Sequence, residues 1–452
     1  MMSKLSALFS FFTPAPHLPE MQGTELVAKT YRFWRIRTLY SMFIGYALYY
    51  FTRKSYSLAM PGIIADLGYT KAELGILGSI LAISYGFSKF FSGILSDKSS
   101  PRYFMAFGLI TTGIINILFG MSSSLVVFAL LWGLNGWFQG FGWPACSRLL
   151  VSWYSKSERG SWWSTWNVCH NVGAFSIAIL AGFLVQYFGW RSGMYVPGLI
   201  CIAGGFFMVN RLRDSPEAVG LPPIDIYRND VVASPVTKES KSASTWDTLV
   251  AHVFTNKWLW LLGLAYFFVY FARTAMNDWT PLYLKETRNY SLIAANSMAT
   301  MIEVGGFFGN LAAGWASDRL FGAKRGPVNV LFSLGLVFAI MLFSVVPVGA
   351  AWQESATLAL IGFMVFGPQM LIGVAAVELA HKNAIATSSG FVSCISYMGA
   401  ACAGYPLGLI IQEFGWNGHF TTMIGASILA VLFLLPLWAA KERPPEAVLA
   451  TA

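Results

Sequence analysis

The stretch YALYYFTRK, residues 46–54, sets two adjacent cations, Arg53 and Lys54, inside an otherwise apolar run. A second stretch, YFFVYFAR at residues 266–273, repeats its pattern of Tyr-x-x-x-Tyr-Phe-x-Arg 220 positions later. Tyr46, Tyr50 and Arg53 stand at i, i+4 and i+7, so on a helix they share one face, and Tyr266, Tyr270 and Arg273 repeat that face. An arginine near the centre of a bilayer costs about 2.5–3.5 kcal/mol even on the mildest scale. Two of them at matching places call for an anionic partner, and the forked guanidinium suits a phosphate or a carboxylate.

The setting of these cations is a chain of 452 residues that is 56% hydrophobic, 16% aromatic and only 11% charged. Its mean hydropathy is +0.57. Soluble globular chains carry about 25% charged residues, so this composition describes an all-α, polytopic membrane protein. The net charge of +9 lies in short loops rather than on one soluble face, which excludes nucleic acid as a partner. Five cysteines, at 146, 169, 201, 394 and 402, fall in apolar segments with no paired spacing, so they read as packing residues rather than metal ligands or a disulfide. Residues 1–12 lack the charged start and the cleavage site of a signal peptide, and are expected to form a short interfacial helix on the cytoplasmic leaflet.

A hydrocarbon core needs about 20 apolar residues per crossing. Twelve runs meet that length, near 38–60, 74–96, 103–121, 125–150, 161–186, 191–210, 258–283, 293–316, 327–347, 355–379, 385–411 and 418–439. They imply a cytoplasmic segment 1–37, a six-helix bundle 38–210, a linker 211–256, a second bundle 257–440 and a tail 441–452. Of the 30 lysines and arginines, 21 fall in the segments on one side, and Lys71, Arg191, Lys285 and Arg288 fall on the other. The positive-inside rule therefore puts both termini and the linker in the cytoplasm. Arg53, Lys54, Lys89, Arg148 and Arg273 remain within the runs.

The halves repeat one another elsewhere too: GILSDK at 93–98 matches GWASDR at 314–319. Asp97 and Asp318 are read as conformational latches, acidic groups at helix ends able to cap or pair. Lys89 and His170 stand at comparable depth and are candidate ligand contacts, the histidine with a charge that can follow substrate binding. Asp278 follows Arg273 by five residues, so a Lys54–Asp278 ion pair across the halves is expected. Glu303 and Glu378 are read as buried acids that balance charge. Cations outnumber acids in the runs, which argues against a cation carrier or a simple proton symporter.

The repeated Gly-x-x-x-Asp-Arg/Lys loop resembles the signature of the major facilitator superfamily. Within it, the chain resembles the organophosphate:phosphate antiporters. The resemblance runs through PAPH at 14–17, GYALYYFTRKS at 45–55, YGFSKF at 85–90, GWFQGFGWP at 136–144, SERG at 157–160, WNVCHNVG at 166–173, DSPEAVGL at 214–221, DW at 278–279 and FGPQMLIG at 366–373. RYFMAFGLITTGIINILFG at 102–120 and SWWSTW at 161–166 look most like the hexose-phosphate branch, which holds both carriers and a receptor-like paralogue. The resemblance implies twelve transmembrane helices in two pseudo-symmetric six-helix bundles, working as a transporter rather than an enzyme.

It also implies exchange of external glucose 6-phosphate for internal inorganic phosphate across a bacterial inner membrane, by alternating access, with no metal or nucleotide cofactor. Arg53 and Arg273 would bind the phosphate, Lys89 and His170 would assist, and Tyr46, Tyr50, Tyr85, Tyr270 and Asn167 would line the pocket. Two alternatives stay open: a sensor of external glucose 6-phosphate that signals to a kinase, and a glycerol-3-phosphate carrier.

Overall fold

The helices follow the apolar runs, and several meet a serine, glycine or asparagine at an end, as at Ser100, Gly140 and Asn289. The computed structural model describes residues 13–97, 99–229, 253–322, 324–379 and 385–439. The interfacial helix expected at 1–12, much of the 211–256 linker and the 441–452 tail lie outside the described residues.

The first half of the chain builds α1 (Thr24–Leu67), α2 (Lys71–Asp97), α3 (Pro101–Met121), α4 (Leu125–Gln139), α5 (Gly142–Trp153), α6 (Lys156–Asn167), α7 (Cys169–Phe188) and α8 (Ser192–Arg211). The second builds α9 (Lys257–Arg288), α10 (Leu292–Ala299), α11 (Met301–Arg319), α12 (Arg325–Val345), α13 (Ala351–Glu378), α14 (Ile385–Cys402) and α15 (Tyr405–Leu434), the last bent at Gly415. Every apolar run thus falls in helix. Four runs are broken: the fourth between α4 and α5, the fifth between α6 and α7, the eighth between α10 and α11, and the eleventh between α14 and α15.

By length and apolarity, nine stretches among the described residues qualify as membrane crossings, and one of them, Ser388–Trp438, spans 51 residues. Helix α1 is not among them, because its tyrosines and its two adjacent cations lower its hydropathy. It also starts well before residue 38, the charged residues from Thr24 onward continuing the same helix for 44 residues in all.

End groups are satisfied locally. Ser100 caps α3, with Pro101 in the first turn, where its missing N–H leaves no bond unmade. Asn256 caps α9 through the Trp258 amide at 3.0 Å, and Asn289 closes it in the left-handed conformation at φ 57°.

Contacts divide the chain into two compact units, one of Met1–Ile63 with Ser84–Thr237, the other of Ile64–Ile83 with Lys238–Ala452. In the first unit α3 lies along α8 so closely that a Cβ on Gly113 would stand 2.6 Å from the Gly198 carbonyl oxygen. Lipid supplies no hydrophobic drive between helices, so small residues that let backbones touch carry much of the association. Helix α7 meets α1 in the same way, with Gly173 resting on the Ala47 backbone. Asp214 accepts from the Ser100 hydroxyl at 2.7 Å and from the Ala15 amide at 2.9 Å, so the stretches 14–17 and 214–221 lie together.

In the second unit, Gly305 and Gly309 of α11 rest on the backbones of Ala359 and Phe363 of α13, and Gly362 rests on that of Ile302. Helix α14 meets α9 at Gly399, on the Phe267 backbone. That contact is the counterpart of Gly173 on Ala47, so the internal repeat extends from motifs to packing. Residues 64–83 join this unit: Ser79 Oγ donates to the Ala401 carbonyl at 2.5 Å and accepts from the Tyr405 amide at 2.8 Å. Lys71 pairs with Glu286 at 2.7 Å, and Trp416 Nε1 donates to the same carboxylate at 3.0 Å.

Candidate functional site

The first unit gathers its polar groups around the break between α4 and α5. A break at membrane depth leaves carbonyls without helical partners, and these must find donors nearby. Helix α2 supplies them: Ser88 Oγ donates to the Trp137 carbonyl, and Ser92 Oγ donates to that of Gly140 at 2.8 Å. Between these serines Lys89 is thereby aimed at the same place. Its ammonium lies 5.3 Å from the Tyr85 ring centre and 5.8 Å from that of Trp143.

Arg53 reaches the break from α1. Its guanidinium lies over the rings of Tyr50 and Tyr85, at 4.8 and 4.6 Å. Its Nε–H donates to Gln139 Oε1 at 3.1 Å and its Nη2–H to the Tyr85 hydroxyl at 3.4 Å. Gln139 ends α4 and is 1% exposed. Its amide nitrogen donates to the Tyr49 carbonyl at 3.2 Å, the Thr52 hydroxyl at 3.0 Å and Asn135 Oδ1 at 3.4 Å. Asn135 in turn donates to the Thr52 carbonyl at 2.8 Å. Arginine cannot accept a hydrogen bond, so the glutamine must present its oxygen to Arg53 and its nitrogen to α1.

His170 completes the group from the second break, one residue into α7. Its Nδ1 lies 2.6 Å from the Asn167 carbonyl oxygen. Four rings surround it, Tyr46 at 4.9 Å, Trp166 at 5.6 Å, Tyr50 at 5.7 Å and Trp143 at 5.8 Å. The close seat of Gly173 on Ala47 brings α7 near enough for this. Arg53, Lys89, His170, Tyr46, Tyr50, Tyr85 and Asn167 therefore form one linked cluster.

The second unit repeats the tyrosine–arginine face with other neighbours. The Arg273 guanidinium lies 4.7 Å from the Phe366 ring centre and 5.7 Å from that of Tyr270. Tyr270 packs edge-on against Tyr266 at 4.7 Å and Tyr397 at 5.5 Å. The Tyr266 hydroxyl donates to the Gln369 carbonyl at 2.9 Å, fixing α9 on α13. Asp278 is half-buried on α9, and Glu303 is buried on α11. Lys54 is half-buried on α1 in the first unit. The side chains of Asp97 and Asp318 lie outside the described residues.

One expectation is corrected, and one residue gains a structural role. Glu378 is not a buried acid: it is exposed and pairs with Arg325 at 3.1 Å. Arg148, counted among the cations inside the runs, donates to the carbonyls of Ser96 and Ser99 and so holds the end of α2. The sequence reading missed Gln139, Trp143, Trp166, Phe366 and Tyr397. Gln139 carried a signal, since an amide inside an apolar run must find partners within the protein; the aromatic residues looked like any others in such a chain.

The profile of the Major Facilitator Superfamily matches residues 42–405. The "Probable hexose phosphate transport protein" of Chlamydia pneumoniae is 53% identical over 444 residues, covering 96% of this chain and 97% of that one. The "Membrane sensor protein UhpC" of Escherichia coli (strain K12) is 44% identical, covering 96% of this chain and 99% of that one. Among solved structures, a bacterial homologue of the human lysosomal transporter Spinster, inward-facing and unoccupied, superposes with a TM-score of 0.71. It is 14% identical and covers 90% of this chain and 96% of that one, a likeness of fold alone.

Proposed function

The chain belongs to the major facilitator superfamily and, within it, to the organophosphate:phosphate antiporter family, and from that membership we propose that it exchanges hexose phosphate, chiefly glucose 6-phosphate, for inorganic phosphate. The observation that carries this reading is the first unit's cluster: a hydrogen-bonded Arg53, with Lys89 and His170 beside it, walled by tyrosine and tryptophan. Such a place attracts an anion, and its aromatic walls suit the apolar faces of a sugar ring.

In this proposal Arg53 and Arg273 take the phosphate group, and Lys89 and His170 assist. Tyr46, Tyr50, Tyr85, Tyr270 and Asn167 line the pocket. Lys54 and Asp278 form an ion pair that breaks and remakes during the cycle, while Glu303, Asp97 and Asp318 serve the same switch. The asymmetry of lysine and arginine supports cytoplasmic termini, and the family resemblance supports a bacterial inner membrane.

Exchange follows from the charge. An empty site holding two guanidinium groups and an ammonium carries unscreened positive charge in a medium of low dielectric, which raises the barrier to switching. A bound phosphate neutralises it. Phosphate-loaded proteoliposomes are therefore expected to release label rapidly only when phosphate or hexose phosphate is present outside. Equal release without external substrate would remove the exchange mechanism.

A second reading, a sensor of external glucose 6-phosphate acting on a kinase, is favoured by the 44% identity to UhpC. In the same vesicles a sensor binds the sugar phosphate and moves no phosphate.

A further inference from the structure

We infer that Gln139 is a positioning residue that sets the plane of the Arg53 guanidinium for phosphate, an assignment that rests on the reading of Arg53 as a phosphate ligand. A guanidinium on a flexible stem can turn about its last bonds, and a fork binds an oxyanion bidentately only when its plane is held. Two points on that plane are fixed here. Gln139 Oε1 takes the Nε–H at 3.1 Å, and the Tyr85 hydroxyl takes an Nη2–H at 3.4 Å.

The first of these anchors is the firmer. Gln139 is buried, and its own amide nitrogen is held by three acceptors, two of them on α1 itself. Asn135, one turn earlier on α4, ties to the Thr52 carbonyl. Helix α1 therefore presents Arg53 and, through Thr52 and Tyr49, also holds the amide that aims it. The oxygen offered to Arg53 is neutral, so the arginine keeps its full charge for the ligand. A carboxylate at this place would still accept from Arg53 but would compete with phosphate for that charge, and it has no hydrogen to give to the Tyr49 carbonyl or to Asn135 Oδ1.

This distinction gives the test. Inorganic phosphate and glucose 6-phosphate are titrated separately into the purified full-length chain, its Gln139→Met variant and its Gln139→Glu variant, with binding read from tryptophan fluorescence. Methionine keeps the volume and removes every hydrogen bond. Gln139→Met is expected to raise Kd about tenfold, the value of one charge-assisted hydrogen bond at its weaker end. The factor should be the same for both ligands, because the effect acts on the phosphate end. Gln139→Glu is expected to bind more weakly still, by about a hundredfold, at a temperature where the melting curves show all three chains folded.

A purely structural role predicts that each variant regains the parent's affinity when titrated well below its melting temperature. That recovery, or a Gln139→Met variant that binds both ligands as the parent chain does, overturns the assignment. Failure of the unaltered chain to bind inorganic phosphate is a different result: it overturns the phosphate site, and with it the premise here.

Discussion

Arg53→Lys is expected to weaken phosphate binding by about a hundredfold, near the upper end of the roughly 1.5–3 kcal/mol that one hydrogen bond to a charged group contributes. Exchange should stop while the protein still folds. Lysine keeps the charge, so the loss must come from geometry. An ammonium cannot give two parallel hydrogen bonds to a phosphate, and it has no planar face to lie over Tyr50 and Tyr85. It also leaves Gln139 Oε1 without the donor it faces at 3.1 Å. The measurement is labelled phosphate exchange in proteoliposomes beside a melting curve of the same preparation. Near-normal exchange by Arg53→Lys would refute the role given to this residue; loss of exchange with loss of folding would leave the parallel Arg273→Lys variant to decide it.

Gly305→Val is expected to cost about 3 kcal/mol or more in the stability of the second unit, at the upper end of what overpacking does. Three glycines hold α11 against α13 backbone to backbone, Gly305 on Ala359, Gly309 on Phe363 and Gly362 on Ile302. A branched side chain at 305 meets main-chain atoms, which cannot turn aside as a flexible side chain can. The helices must separate along their length, and the loss of contact is not returned by lipid, which is as apolar as the side chains. Gly425→Ala is the control: a Cβ there meets nothing within 4 Å, and alanine in a helix is favoured over glycine by about 0.5–1 kcal/mol. Gly305→Val should reduce the folded fraction in detergent and the melting temperature sharply, and Gly425→Ala should not. Equal melting temperatures for the two would mean that α11 and α13 do not pack as described.

What the sequence disclosed and what it hid follow from the range of the interactions involved. Arg53 and Arg273 stood out because a cation is rare in an apolar run and because the tyrosines beside them repeat at helical spacing. Lys89 and His170 stood out for the same reason. The helix breaks did not, because their cause lies elsewhere in the chain: the Gly140 carbonyl is satisfied by Ser92, 48 positions away. The orientation of Arg53 was equally hidden, since its partner Gln139 is 86 positions distant. Glu378 was misread for a similar reason. Its place in an apolar run suggested burial, whereas it ends α13 and meets Arg325, 53 positions away. The start of α1 at Thr24 shows another limit, since the apolar pattern marks where a helix can be buried and not where it begins.

The glycines are the instructive middle case. Gly305 and Gly309 form a small-x-x-x-small pair that sequence alone displays, yet only the structure identifies α13 as the surface it meets. Gly173 lies in a stretch that carried the family resemblance, and its physical task is to let α7 approach α1 so that His170 reaches Tyr46.

The most direct test of the central claim, one phosphate-binding site serving a hexose phosphate and inorganic phosphate alike, is competition against labelled phosphate exchange by the purified protein in vesicles. Glucose 6-phosphate, glycerol 3-phosphate and phosphoenolpyruvate are compared over the same concentration range. The account predicts that glucose 6-phosphate competes at the lowest concentration and that its inhibition is fully overcome by added phosphate. Stronger competition by glycerol 3-phosphate would move the substrate to another member of the class, and exchange untouched by all three would contradict the claim itself.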